Sequence, residues 1–264
     1  MPFTMETSTC RVRGGIGLPT VIYLPGAHGD ATLAGAFGTA LGDRVRWVEI
    51  DYPRSTSIGL PEIARSVLAA LDARGVRDGW LVAESFGSQV AWEIIARVGR
   101  GESGFRLDGL FLAGGFVRYP WRWLVGSARA ASANLPSRGV ALLLGGFIRW
   151  ARWIYGTTPE KRASVEAFAA RRREPGDFAA LTHRLRLIRD NDPRPIARAW
   201  RGPVWSLAGR WDAMVPIPLV HRWLRRECPG WRGAEVFWRS DHLVLVCQPE
   251  KAADAVRRAV RGEW

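Results

Sequence analysis

Trp80-Leu-Val-Ala-Glu-Ser-Phe-Gly-Ser-Gln-Val-Ala91 is the stretch on which the fold turns. Its first four residues form an apolar, β-forming run, and a helical pattern extends from Ser88 to about Val98, where Gly99 and Gly101 stop it. Between them lies Ala83-Glu-Ser-Phe-Gly87. A serine on a sharp strand-to-helix turn needs small residues two positions to either side, because strand and helix backbones crowd there. The usual pattern is G-x-S-x-G, and Ala83 replaces the first glycine.

Working outward, further β-forming runs occur at Val21–Leu24, Val45–Ile50, Leu107–Phe116, Pro203–Ala208 and Ala234–Trp238. Helical patterns separate them at Pro61–Arg74, Pro218–Arg226 and Glu250–Arg261, with a shorter Ala/Leu-rich stretch ending near Leu41. Strands alternating with helices predict an α/β protein: about six mainly parallel strands, covered on both faces. The alternation breaks after residue 117 and resumes after residue 200. The expected division is therefore a core in two parts, 1–117 and 201–264, with 118–200 inserted as a helical cap. Ligands of such sheets bind beyond the carboxyl ends of the strands, and the cap is expected there.

The 264 residues carry 38 basic against 25 acidic side chains, a net charge of +13. Only Lys161 and Lys251 are lysines, a bias typical of GC-rich coding sequence. From Arg118 to Arg198 there are sixteen basic and six acidic residues, which places ten of the thirteen net charges in the insertion. The excess thus belongs to the insertion and the coding bias, and specific nucleic-acid binding is not expected. Cys10, Cys228 and Cys247 are scattered, without CxxC or zinc spacing, so neither a disulfide framework nor a metal site is expected. The start lacks a signal-peptide pattern, and the longest uncharged apolar run, Val140–Ile148, is short of the ~20 residues of a spanning helix. A cytoplasmic protein is the expectation.

A serine hydroxyl becomes nucleophilic only beside a base that a third group orients. Of the four histidines, His183 and His221 fall within helical patterns and read as surface residues. His28 lies in the loop after the first strand, and His242 lies in the loop after the last. Asp212, in Gly209-Arg-Trp-Asp212, follows the strand that reopens the alternation. Ser85, Asp212 and His242 thus follow successive strands and form the expected catalytic set. Asp241 is the rival acid, ranked lower because neighbouring side chains rarely point at one another. An oxyanion needs two aimed N–H groups. That of Phe86 should sit at a helix N-terminus, and that of Ala27 in the glycine-containing loop Pro25-Gly-Ala-His-Gly29. Cys247, in an apolar run, reads as a small buried hydrophobe, and Arg171-Arg-Arg173 as a solvated helix face. No nucleotide motif occurs, so no cofactor is expected.

With these residues the chain resembles the α/β-hydrolase superfamily, and specifically its small capped, esterase-like bacterial members. VIYLPGAHGD (21–30) resembles the oxyanion loop, with Pro25 in place of the usual histidine, and LVAESFGSQVA (81–91) the nucleophile elbow. PVWSLAGRWDAMVP (203–216) resembles the acid turn, and SDHLVLVCQPEKAADAV (240–256) the histidine loop and last helix. The resemblance implies a serine hydrolase cleaving an ester or thioester with an apolar part. The same triad could serve acyl transfer or C–C bond hydrolysis, and a non-catalytic basic membrane- or nucleic-acid-binding protein on this scaffold is the other class. Only twenty residues precede Val21, which implies that the first two strands of the full fold are missing or rudimentary. Gly26 and His28, with Trp121 and Trp123 where the cap opens, are expected to contact substrate. The Arg- and Trp-rich cap also suits peripheral contact with a membrane surface.

Overall fold

The computed structural model describes residues 7–121, 158–171 and 176–263, with a few isolated positions between 145 and 153. Alternate residues of a strand face opposite sides of a sheet, and β2 (Thr20–Leu24) shows this with every residue buried. Ile22 and Leu24 enter one core, and Val21 and Tyr23 the other. A strand buried on both faces is a continuous apolar run, the pattern of a parallel sheet.

Among the described residues seven strands form the sheet, in the order β1-β3-β2-β4-β5-β6-β7. They are β1 (Thr9–Arg13), β2, β3 (Arg46–Asp51), β4 (Asp78–Glu84), β5 (Arg106–Ala113), β6 (Val204–Gly209) and β7 (Trp231–Phe237). The strands from β2 to β7 are parallel, and β1 runs antiparallel to β3 along the edge. Six parallel strands match the sequence expectation. The start of the sheet differs from it, because Thr9–Arg13 supplies an edge strand before Val21. That strand is held by side chains as well as backbone: Arg11 and Arg13 reach Glu49 on β3 at 3.1 and 3.0 Å.

Helices α1 (Gly35–Leu41), α2 (Leu60–Asp72) and α3 (Gly87–Gly99) lie between the early strands. The first core joins α2 and α3 to one face of the sheet, with Trp92 fully buried in it. The second core packs α1 and the last helix, α9 (Pro249–Val260), on the other face. Between β5 and β6 the described part of the insertion is helical: α4 (Pro159–Arg171), α5 (Asp177–Asp190) and α6 (Arg194–Ala199). After β6 and β7 come α7 (Ile217–Glu227) and the one-turn α8 (Val244–Cys247). Among the described residues no helix is long and apolar enough to cross a membrane.

The chain leaves β2 toward β3 on one side and reaches β4 on the other. The order therefore reverses between β2 and β4, and at the carboxyl ends of such a switch point open α/β sheets form their ligand crevice. The loop 25–29 and the turn at Ser85 both follow those carboxyl ends.

Candidate active site

Ser85 follows β4 directly and has φ +48°, and among the described residues no other non-glycine residue has positive φ. A left-handed backbone is costly for a residue with a β-carbon, so the surrounding structure must impose it. The Ser85 N–H donates to Ala113 O at 3.0 Å, and the Ser85 carbonyl accepts from Ser88 N at 3.0 Å and Ser88 Oγ at 2.6 Å. Ser88, fully buried, also accepts from Phe116 N at 3.2 Å and so ties the turn to the end of β5. Gln89 Nε2 donates to the carbonyls of Phe116 and Val117 at 3.2 and 3.0 Å. The first helical bonds of α3 come from Ser88 and Gln89, so the Phe86 N–H precedes them at the helix start.

Asp212 and His242 meet although thirty residues separate them. Asp212 Oδ2 accepts a hydrogen bond from His242 Nδ1 at 2.8 Å, with the carboxylate wholly buried. The other oxygen, Oδ1, accepts from the N–H groups of Met214 at 2.9 Å and Val215 at 2.8 Å. Trp211 N donates to Ser240 O at 3.0 Å, which fastens the acid turn to the histidine loop. Because an ionised carboxylate only accepts, the pair sets the His242 tautomer: hydrogen on Nδ1, lone pair on Nε2. Burial disfavours the charged imidazole. The Asp212 hydrogen bond and charge, helped by Glu84 and Asp241, outweigh burial and raise the His242 pKa above its ordinary value.

His242 packs on the end of β5, where a β-carbon on Gly114 would lie 3.1 Å from Nδ1. Ser85 is bonded to Ala113, the preceding residue. Serine, histidine and acid therefore converge on the carboxyl ends of β4, β5 and β6. Asp241 turns elsewhere: its Oδ1 accepts from Leu243 N at 2.9 Å and Cys247 Sγ at 3.3 Å, at the two ends of α8.

The loop after β2 is a tight turn, closed by Gly29 N donating to Gly26 O at 2.9 Å, with Ala27 and His28 in its middle. The His28 ring folds back over Gly26 and meets Phe168 of α4 edge-on at 6.0 Å. Beneath the loop Glu84 is buried, and the equally buried Tyr23 hydroxyl donates to its carboxylate. Burial first, and the Glu84 charge second, push the Tyr23 pKa well up. This buried acid next to the serine had no signal in sequence beyond its place in the motif.

Of the remaining candidates, Trp121 is 36% exposed and Trp123 lies outside the described residues. The two helical histidines are not plain surface groups. His183 Nε2 bonds Ile58 O at 2.7 Å, and His221 bonds Ser206 Oγ at 2.9 Å. Burial, and then the Arg225 charge, lower the His221 pKa to about 4. Cys247 is partly exposed, with its thiol pushed up to about 11 by burial. Arg171 is no solvated residue either: it faces Asp30 at 3.5 Å and Asp51 at 3.6 Å. Both carboxylates are almost wholly buried, so the guanidinium completes a charge cluster. Among the described residues no group of three or more His, Cys, Asp or Glu could hold a metal ion.

Order, topology and strand ends together define the α/β-hydrolase fold, and solved structures agree. A hydrolase from Pseudomonas aeruginosa superposes with TM-score 0.77 at 19% identity, covering 97% of this chain and 94% of that one. A thermophilic esterase from Thermogutta terrifontis gives 0.74 at 20%, covering 97% and 93%. The enol-lactonase from Burkholderia xenovorans gives 0.72 at 18%, covering 97% and 95%. No protein-family model matches the chain, and no curated protein matches it in sequence.

Proposed function

We propose that the protein is a serine hydrolase that cleaves a small-molecule carboxylic ester or thioester with an apolar part. The observation that carries this reading is the buried Asp212–His242 hydrogen bond, at the same sheet edge as the left-handed Ser85. A module that only binds has no use for a strained serine at the same sheet edge as an oriented base.

In this reading Ser85 Oγ attacks the substrate carbonyl while His242 Nε2 takes its proton. Asp212 stabilises the resulting imidazolium, and the N–H groups of Phe86 and Ala27 hold the oxyanion. His242 then protonates the leaving group. Water, deprotonated by the same imidazole, releases the acyl group. Gly26, His28, Trp121 and Trp123 contact the substrate, and residues 118–200 form the cap. Support for the cap comes from α4, which packs Val165 and Phe168 on Leu33 and Val246. Lys161 of α4 also donates to Cys247 O at 3.1 Å, so one inserted helix touches the segments that follow both β2 and β7.

The test is a panel of p-nitrophenyl esters and thioesters of rising acyl length, run with wild type and Ser85→Ala, beside fluorophosphonate labelling. Turnover and labelling should both vanish in Ser85→Ala. Equal rates in the two proteins would remove the reading.

A further inference from the structure

We propose that Arg184, on α5, is a positioning residue that locks the turn carrying the Ala27 N–H. The proposal rests on the serine-hydrolase reading and deepens it. Arg184 is only 3% exposed despite its charge. Its Nη1 donates to Ala27 O at 3.0 Å and its Nη2 to Pro53 O at 2.9 Å, bridging the loops after β2 and β3. The guanidinium carbon lies 5.8 Å from the centre of the Tyr52 ring. A buried cation is retained only where fixed dipoles or charges replace its water, and two carbonyls aimed at one fork do so.

The consequence lies in how such turns move. In the turn Gly26–Gly29 the central peptide joins Ala27 to His28, and it has two orientations that differ by a flip while the turn's ends stay in place. The flipped form needs positive φ at the third residue, and His28 does not have it. A peptide is planar and trans, so its carbonyl and its N–H point in opposite directions. Holding the Ala27 carbonyl therefore fixes ψ of Ala27 and the direction of the His28 N–H. The Ala27 N–H lies on the preceding peptide, whose carbonyl is held by Gly29 N, so with ψ of Ala27 also fixed neither peptide of the turn rotates. The loop is shaped for this partner: a β-carbon on Gly29, whose φ is +85°, would overlap the Arg184 guanidinium.

Helix α5 does not depend on Arg184 for its attachment. His183 bonds Ile58 O at 2.7 Å and Asp177 pairs with Arg54 at 2.6 Å, both on the segment between β3 and α2. The bond to Ala27 is what Arg184 contributes. It makes the conformation of the turn that carries the Ala27 N–H depend on a helix of the insertion.

The experiment compares Arg184→Met, which keeps apolar length and removes the donors, with Arg184→Lys and with Arg54→Gln as an anchoring control. Oxyanion stabilisation acts in the transition state, so Arg184→Met should lose at least about tenfold in kcat with KM within about twofold. Arg184→Lys, which can still donate to one carbonyl, should lose less. Millimolar guanidinium should restore part of kcat to Arg184→Ala. Arg54→Gln should keep its kcat. A crystal structure of Arg184→Met should show the Ala27–His28 peptide flipped or in two orientations. An unchanged kcat in Arg184→Met or, if that variant does not fold, in Arg184→Lys overturns the proposal. So does an equal loss in Arg54→Gln, or a peptide that keeps its single orientation without the guanidinium. Loss of the hydrolase reading is seen separately, as Ser85→Ala turnover equal to wild type, and the peptide's orientation still decides whether Arg184 locks the turn.

Discussion

The space where a β-carbon of Gly87 would sit is filled by the carbonyl oxygen of Leu24, with Pro25 O only 2.9 Å away. The turn after β4 and the end of β2 are thus in backbone contact. Neither oxygen can rotate aside as a side chain could. Gly87→Ala should therefore destabilise the protein by about 3 kcal/mol, the upper end of overpacking costs, and reduce Ser85 reactivity as the turn is pushed off the crevice. Urea unfolding of the purified variant measures the first effect and fluorophosphonate labelling rate the second. A variant as stable and as reactive as wild type would contradict this contact.

The Asp212–His242 pair makes a prediction about pH. The imidazole must be neutral to act as a base, and Asp212 raises its pKa by hydrogen bond and charge against the effect of burial. Activity should therefore climb with rising pH on a limb centred above the ordinary histidine value of about 6.5. Asp212→Asn removes that support and should move the limb to lower pH. It should also lose the enforced tautomer and fall by about 10⁴ in kcat. A kcat/KM profile for both proteins decides the matter; an acid limb that does not move would show that Asp212 does not act on His242.

The parallel strands were legible, and Ser85, Asp212 and His242 could be placed after strands, because each is a local pattern. An apolar run stops at a polar, glycine-containing turn, and the side chain after the strand necessarily lies at the carboxyl edge. β1 was not legible for the opposite reason. In Thr-Cys-Arg-Val-Arg only Cys10 is buried, and what holds the strand is pairing with β3 and Glu49, some forty residues on. The same holds for Arg184, one of many arginines in the insertion. Its burial depends on Ala27 and Pro53, more than a hundred residues away. Asp241 and Asp212 could be ranked in sequence, but the bonds of Asp241 to Leu243 N and Cys247 Sγ depend on how the loop folds.

His221 should make the protein acid-sensitive independently of catalysis. Its native pKa of about 4 lies below the value of about 6.5 that it has unfolded. Between those values the unfolded chain binds more protons, so stability is full above about pH 6.5 and falls as pH drops toward 4. Allowing for partial exposure of the ring, the loss should reach about 2 kcal/mol at the lower end. His221→Gln keeps a partner for Ser206 Oγ and does not titrate. Urea midpoints at pH 4.5 and 7.5 should differ less in this variant than in wild type. An identical difference would show that other groups set the acid limb.

Ser85 itself should be a site where function costs stability. Its φ of +48° is tolerated by glycine, whereas a residue with a β-carbon is disfavoured there by about 1–2 kcal/mol. Glycine gives part of this back, since it frees the unfolded chain by about 0.4–1 kcal/mol. Ser85→Gly should therefore be more stable than Ser85→Ala by about 1 kcal/mol, both variants being inactive. The comparison with alanine matters because it removes the hydroxyl from both sides of the difference and leaves only the backbone. Thermal and urea unfolding of the two variants measure it. A Ser85→Ala protein at least as stable as Ser85→Gly would mean that the turn after β4 imposes no strain on its serine.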